Sequence, residues 1–240
     1  MRTLVFMADN RPLDPNVSTA DYNTFAAVIN YEYCKRHNYD FKYYTPYLNS
    51  PESHDVYNCV DPHSKETRHA SWSKLLATIH SFELAYDYIV YIDSDCIFKD
   101  FNQSLENYIR PYETYDVCFL NNNPWHPHLP CAGFYICKVN DSAKQFIVDW
   151  YNVNLAERNK QHPWEQDALW KIFKKYNVGI INDMMFYEQS QQFLRHISGH
   201  VSREEEQNRI PYFKNFIYKY NIDYSDHVSN IIVNAFNTAP

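Results

Sequence analysis

Residues 88–92, YIVYI, form an unbroken run of apolar and aromatic, β-favouring side chains that ends directly on Asp93, Ser94 and Asp95. The run lacks a polar alternation, so neither face of this strand is left for water. That predicts a central strand of a mostly parallel sheet, covered on both sides. Such a strand needs helices above and below it, which restricts the chain to an α/β architecture. In extended backbone the period of two turns both carboxylates to one side, with Ser94 facing away. Like charges so placed repel, so each is solvated, one is protonated, or a cation sits between them.

The rest of the chain supplies the partners this strand requires. Residues 3–8 read as an opening strand, and Tyr22, Phe25, Ala26, Ile29 and Tyr33 then recur at helical spacing, with Ser18 or Thr19 as the cap. A strand over 40–45, an aperiodic loop over 46–69 and an amphipathic helix from about Ser71 lead into the Asp-Ser-Asp strand. Beyond it come strands over 116–120 and 133–139 separated by a loop over 121–130. Helices over 141–158 and 164–176 and a strand over 178–181 follow. The alternation gives one domain over 1–240, with 201–240 as a helical C-terminal extension. Ligands of such sheets bind beyond the carboxyl ends of the strands, where Asp93 and Asp95 lie.

Composition narrows the chemistry. A net charge of −7 disfavours nucleic acid as a partner, because counterion release needs a basic face. The three glycines, Gly133, Gly179 and Gly199, exclude a P-loop and a Gly-x-Gly-x-x-Gly turn, so any phosphate is bound by another device. The six cysteines show no zinc spacing and read as buried thiols of a reducing compartment. No stretch approaches the roughly 20 apolar residues of a transmembrane segment. The opening MRTLVFMADN turns polar too soon for a secretory signal, which predicts a soluble, cytoplasmic protein.

The order HASWSKLLATIHSFELAYDYIVYIDSD, CAGFYICK, WEQDALW and FLRHISGH resembles the nucleotide-sugar-dependent glycosyltransferases of the GT-A fold. The likeness is nearest to the fungal and plant α-galactosyl/xylosyltransferase group and to glycogenin-like enzymes. It runs from the first strand to about residue 205 and is strongest over 70–95. It implies that the Asp-x-Asp pair holds Mn²⁺ or Mg²⁺ against the diphosphate of a donor such as a UDP-sugar. Asp95 would be a direct ligand, Asp93 would bind the metal or the ribose beside Ser94, and His196 of HISGH would complete the metal shell. Gly199 and His200 would lie by the phosphates. A metal bound in this way relieves the carboxylate repulsion and stabilises the leaving diphosphate.

Other residues carry paired readings. Arg68 and Lys74 flank a helix start and suit phosphate, or form a solvated helix end. Trp72 is a ligand platform or core. Ala8 and Asp9 face the base or ribose, or form a turn before Pro12. Glu165 stands where relatives carry the first Asp of an Asp-Gln-Asp-x-Leu stretch. Glu165 or Asp167 would be base, nucleophile or acceptor anchor, and Gln166 would lie beneath the sugar, unless the segment merely caps a helix. Gly133 lets backbone approach the sugar or marks a bulge. Trp125, His126 and His128 suit stacking on an acceptor sugar, or decorate the surface.

The activity implied is transfer of a hexose or pentose to a glycan or protein hydroxyl, with retention. Two rivals stand beside it. A metal-dependent nucleotide-sugar hydrolase would turn over donor without acceleration by any acceptor, and a non-catalytic carbohydrate-binding protein would bind sugar regardless of chelators. A sugar-nucleotide pyrophosphorylase would need a glycine-rich first loop, and ADNRPLD contains no glycine.

Overall fold

The strand over Tyr88–Ile92 (β5) lies in the middle of a seven-stranded sheet, with neighbours that follow from its pairing. It runs parallel to β1 (Thr3–Ala8) and antiparallel to β8 (His126–Lys138). In the computed structural model, which describes residues 1–47, 59–123, 126–184, 193–197 and 203–237, the full order is β11-β2-β1-β5-β8-β7-β9. Here β2 is Asp40–Tyr47, β7 Val117–Asn123, β9 Val178–Met184 and β11 Ile232–Asn237. The chain is one mixed α/β unit whose sheet is parallel except at the two pairings of β8.

Both faces of β5 are covered, as its composition requires. Val90 and Ile92 point into a core with α1 (Tyr22–His37) and the C-terminal helices α6 (Arg203–Lys219) and α7 (Tyr224–Asn230). Ile89 and Tyr91 point into a second core with α2 (Ser73–Ser81), α4 (Asp141–Tyr151) and α5 (Glu165–Ile172). Each fully buried aliphatic or aromatic side chain contributes about 1.5–3 kcal/mol relative to exposure. The strand is therefore fixed from above and below, and its last residues cannot shift without opening a core.

Several details depart from the sequence reading. Asp21, not Ser18 or Thr19, caps α1, accepting from the backbone N–H of Tyr22. Thr19 instead donates its hydroxyl to Asp14 at 2.7 Å. The expected loop over 121–130 is largely strand. β7 runs to Asn123 and pairs with β8 from His126 through two register shifts, so backbone pairing overrides a composition rich in Asn and Pro. Pro124 and Trp125, and with them the proposed stacking ring, lie outside the described residues. The helix expected over 141–158 stops at Tyr151. The C-terminal segment is not only helical: β11 returns to pair in parallel with β2 at the sheet edge. All six cysteines are buried free thiols. No helix among the described residues is long and apolar enough to cross a membrane.

Candidate active site

At the carboxyl end of β5 the backbone N–H of Asp93 donates to the carbonyl of Gly133 on β8 at 2.9 Å, which fixes where the acidic pair begins. The chain then turns, with Cys96 N–H donating to Asp93 O at 3.0 Å, and enters β6 (Cys96–Phe98). This short strand pairs antiparallel with β10 (Leu194–His196), placing His196 opposite Cys96. As a result His196 Nε2 lies 3.1 Å from Asp95 Oδ1. The ligand atoms of Asp93, Asp95 and His196 all fall within 4.8 Å of one another, a donor set that could hold a metal ion.

The two carboxylates sit in different surroundings. Asp93 Oδ1 meets Lys74 Nζ at 3.0 Å and also accepts from the Tyr91 hydroxyl. Burial pushes the Asp93 carboxyl up, with Asp95 adding to the shift and Lys74 opposing it. Asp95 is held below the ordinary carboxylate range: burial works against this, but His196 prevails, helped by Arg209 at 3.8 Å. Two carboxylates this close raise the cost of ionising one another, and burial and the neighbouring cations decide how that cost is divided. Lys74 is nearly buried and also bonds Glu165 Oε1 at 3.0 Å and the Ala132 carbonyl at 3.2 Å. Burial alone would lower its pKa, but Asp93 and Glu165 more than reverse that.

Asp93 and Asp95 form the shared wall of two cavities. The larger, about 450 Å³, is lined by Ala8, Asp9, Asn10, Arg11, Tyr22, His69, Ala70, Ser71, Tyr91 and Ser94 besides the pair. There Arg11 grips Asp9 through Nε at 2.9 Å and Nη2 at 2.7 Å, and reaches Ser94 Oγ at 3.3 Å. The Tyr22 ring has guanidiniums of Arg11 and Arg209 each 4.1 Å from its centre. The smaller cavity, about 170 Å³, is lined by Cys131, Ala132, Gly133, His162, Pro163, Trp164, Glu165, Gln166 and His196 besides the pair. Gln166 accepts from Ala132 N–H at 2.9 Å and donates to Asn122 Oδ1 at 3.1 Å, so its amide is tied at both ends. Trp164 holds φ at +47°, a conformation bulky residues avoid, and its ring lies flat on His69 at 4.0 Å. Burial pushes the His69 pKa down.

The residues expected at the site thus divide. Ala8, Asp9, Asp93, Ser94, Asp95, Gly133, Glu165, Gln166 and His196 line one cavity or the other. Lys74 lies just behind them, spanning two of the carboxylates rather than standing at a helix end open to phosphate. Arg68 and Trp72 are corrections. Arg68 is wholly buried, bonded to Asp61 at 3.0 Å, Asn159 Oδ1 at 2.9 Å and the Tyr151 carbonyl at 2.7 Å, with its guanidinium on the buried Trp72 ring at 3.9 Å. A charge taken out of water must be paired, and these partners occupy Arg68 away from both cavities. Asp167 is likewise drawn off, by Arg158 Nε at 2.8 Å. Gly199 and His200 lie outside the described residues. The sequence reading missed Arg11, Tyr22, His69, Trp164 and Arg209. Arg11 had a signal, a guanidinium two residues after the acid that follows β1, whereas Arg209 had none.

No protein-family model matches the chain, and no curated protein matches it in sequence. Solved structures do match in fold. A glycosyltransferase involved in glycosylation of the major capsid of PBCV-1 superposes with TM-score 0.63 at 14% identity, over 90% of this chain and 100% of its own. GlyE of Streptococcus pneumoniae TIGR4 gives 0.52 at 14% identity, over 95% of this chain and 62% of GlyE. The galactosyltransferase LgtC, solved with donor and acceptor sugar analogues, gives 0.51 at 12% identity, over 90% of this chain and 95% of LgtC. The chain has the GT-A fold that these proteins share.

Proposed function

We propose that the protein is a metal-dependent glycosyltransferase that moves a hexosyl or pentosyl unit from a nucleoside diphosphate sugar, a UDP-sugar by preference, to a hydroxyl of a glycan or protein. One observation carries this reading. The Asp93, Asp95 and His196 donor atoms stand within 4.8 Å of one another where a larger and a smaller cavity meet. That is where a diphosphate joins a nucleoside to a sugar. Two carboxylates and one imidazole suit Mn²⁺ or Mg²⁺, and these three residues would hold the ion. Bound there, a divalent cation supplies charge stabilisation to the departing nucleoside diphosphate.

The chain's own residues do the rest. Arg11, pinned by Asp9, and Tyr22 between its two guanidiniums shape the nucleoside lobe. Ala132, Gly133, Glu165 and Gln166 wall the sugar lobe. Glu165 stays ionised, because Lys74 and Ser71 overcome the effect of burial, and an anion beside the sugar favours oxocarbenium character. Lys74 holds Glu165 and Asp93 in a fixed relation. Retention, and UDP as the carrier, rest on the resemblance to the α-galactosyl/xylosyltransferase and glycogenin-like enzymes.

The test is a thermal-shift panel of UDP- and GDP-sugars with Mn²⁺ and with EDTA. A donor at about 100 times its dissociation constant adds roughly 2.7 kcal/mol, so a UDP-sugar should raise Tm only with the metal present. Stabilisation by no nucleotide sugar under either condition would overturn the reading.

A further inference from the structure

α6 carries Tyr212, Asn215, Phe216 and Lys219 at the three- and four-residue spacings that align side chains on one helix face. With Tyr220, Lys99 and Asp100 they line an open cavity of about 610 Å³, larger than either lobe of the candidate active site and sharing no residue with them. Its floor is rigid. The Phe216 and Tyr220 rings lie 4.5 Å apart, and Phe101 packs against them at 5.5 and 5.2 Å. Aromatic rings so braced offer apolar area at low entropic cost.

The lining chemistry selects the ligand. A purely apolar molecule would strip water from Lys99, Asp100, Asn215 and Lys219 without pairing them. A multiply anionic one would meet the Asp100 carboxylate. A pyranose has apolar C–H faces for the rings and a rim of hydroxyls, each both donor and acceptor, which matches two ammonium donors, one carboxylate acceptor and one amide that is both. We propose that this groove is a saccharide-binding site separate from the donor cleft, taking a chain of neutral hexose or pentose units.

Its position suggests its use. Lys99 N–H donates to the Phe193 carbonyl at 3.0 Å, anchoring the groove to the β6–β10 ribbon whose other end brings His196 to Asp95. The four residues from Asp95 to Lys99 span at most roughly 14 Å. A saccharide of several units that extended from the groove along this ribbon would bring its end toward the Asp93, Asp95 and His196 cluster. Its role as acceptor rests on the transferase reading above, whereas saccharide binding itself does not.

The experiment is saturation-transfer NMR of maltohexaose, cellohexaose and xylohexaose with the full chain, in excess EDTA and without nucleotide. At least one should bind, and its affinity should fall tenfold or more in Tyr212→Ala and in the solvent-facing double variant Asn215→Ala/Lys219→Ala. It should be unchanged in Tyr218→Ala, whose side chain is exposed outside the groove. Binding should also persist in Asp95→Asn, and UDP affinity should be the same in the groove variants as in the parent. Three results would overturn the proposal: none of the three binds, binding survives both groove changes, or binding is lost in Asp95→Asn. UDP binding, read separately on the same samples, reports on the donor site alone.

Discussion

Asp61 meets Arg68 at 3.0 Å with neither side chain exposed, whereas Asp93 and Asp95 leave 29% and 20% of their side chains open between two cavities. Both clusters hold carboxylates out of bulk water beside a cationic side chain. In the first, one carboxylate faces one guanidinium, and Asn159, the Tyr151 carbonyl and the Trp72 ring take up the rest of that cation. Nothing is left for a ligand. In the second, two carboxylates stand within reach of one another, and the Lys74 ammonium is divided between Asp93 and Glu165. Burial and Asp95 push Asp93 up while His196 holds Asp95 down. A satisfied buried pair is costly to break and leaves nothing for a ligand; a crowded, partly open one has capacity for a further cation.

Replacing one member of each cluster breaks or sharpens this contrast, and Arg68→Ala should have the largest effect. It strands Asp61 as an unpaired buried charge and should destabilise the protein by about 3–5 kcal/mol in urea titration. The folded fraction should keep nearly its full UDP affinity with Mn²⁺, and a loss confined to nucleotide binding would place Arg68 at the donor after all. Asp95→Asn should do the reverse. UDP affinity in Mn²⁺ should fall by about 100-fold, equivalent to roughly 2.7 kcal/mol, while Tm falls less than in Arg68→Ala, because the attraction to His196 and Arg209 is lost but the repulsion with Asp93 is relieved.

The two acids of α5, Glu165 inside the second cluster and Asp167 outside it, should separate. Glu165→Gln, on the wall of the sugar lobe, should cut turnover by about 10². Asp167→Asn, paired with Arg158 outside both cavities, should change it by no more than a few fold. Equal losses in steady-state kinetics would mean that α5 turns its acids differently in the working enzyme.

The smallest effect concerns His69, which burial keeps neutral beside Trp164. Its pKa is lower in the folded chain than the ordinary 6.5, so the unfolded chain takes up the proton first. The stability this contributes is present above pH 6.5 and is lost as pH falls through that value toward the folded pKa. His69→Phe keeps a ring against Trp164 and should flatten the Tm profile between pH 5 and about 7; an unchanged slope would assign the pH dependence elsewhere.

How legible each part was follows from the range of the interactions behind it. β5 could be read because five consecutive apolar residues suit a doubly covered strand, but the period of two did not carry past Ile92: a turn from Asp93 to Cys96 brings the two carboxylates together, and Ser94 lines the same cavity instead of facing away. The fate of Arg68 could not be read, because its partners Tyr151 and Asn159 lie 83 and 91 residues away. Arg209 reaches Asp95 from a helix whose local sequence gives no sign of that contact. The strand pairing of 121–123 with 126–130 was hidden by Asn and Pro, whose local preference for loops yielded to cross-strand pairing. Likewise β11 was missed because a late edge strand is specified by the free edge of β2, which no local pattern records.

The central claim is that Asp93, Asp95 and His196 together hold the cation on which diphosphate binding depends. Calorimetric titration of UDP into the protein with Mn²⁺ and then in excess EDTA tests it most directly. EDTA should weaken binding by about 100-fold or more in the parent and hardly change the already weak binding of Asp95→Asn. UDP binding of equal strength with Mn²⁺ and with EDTA in the parent protein would contradict it.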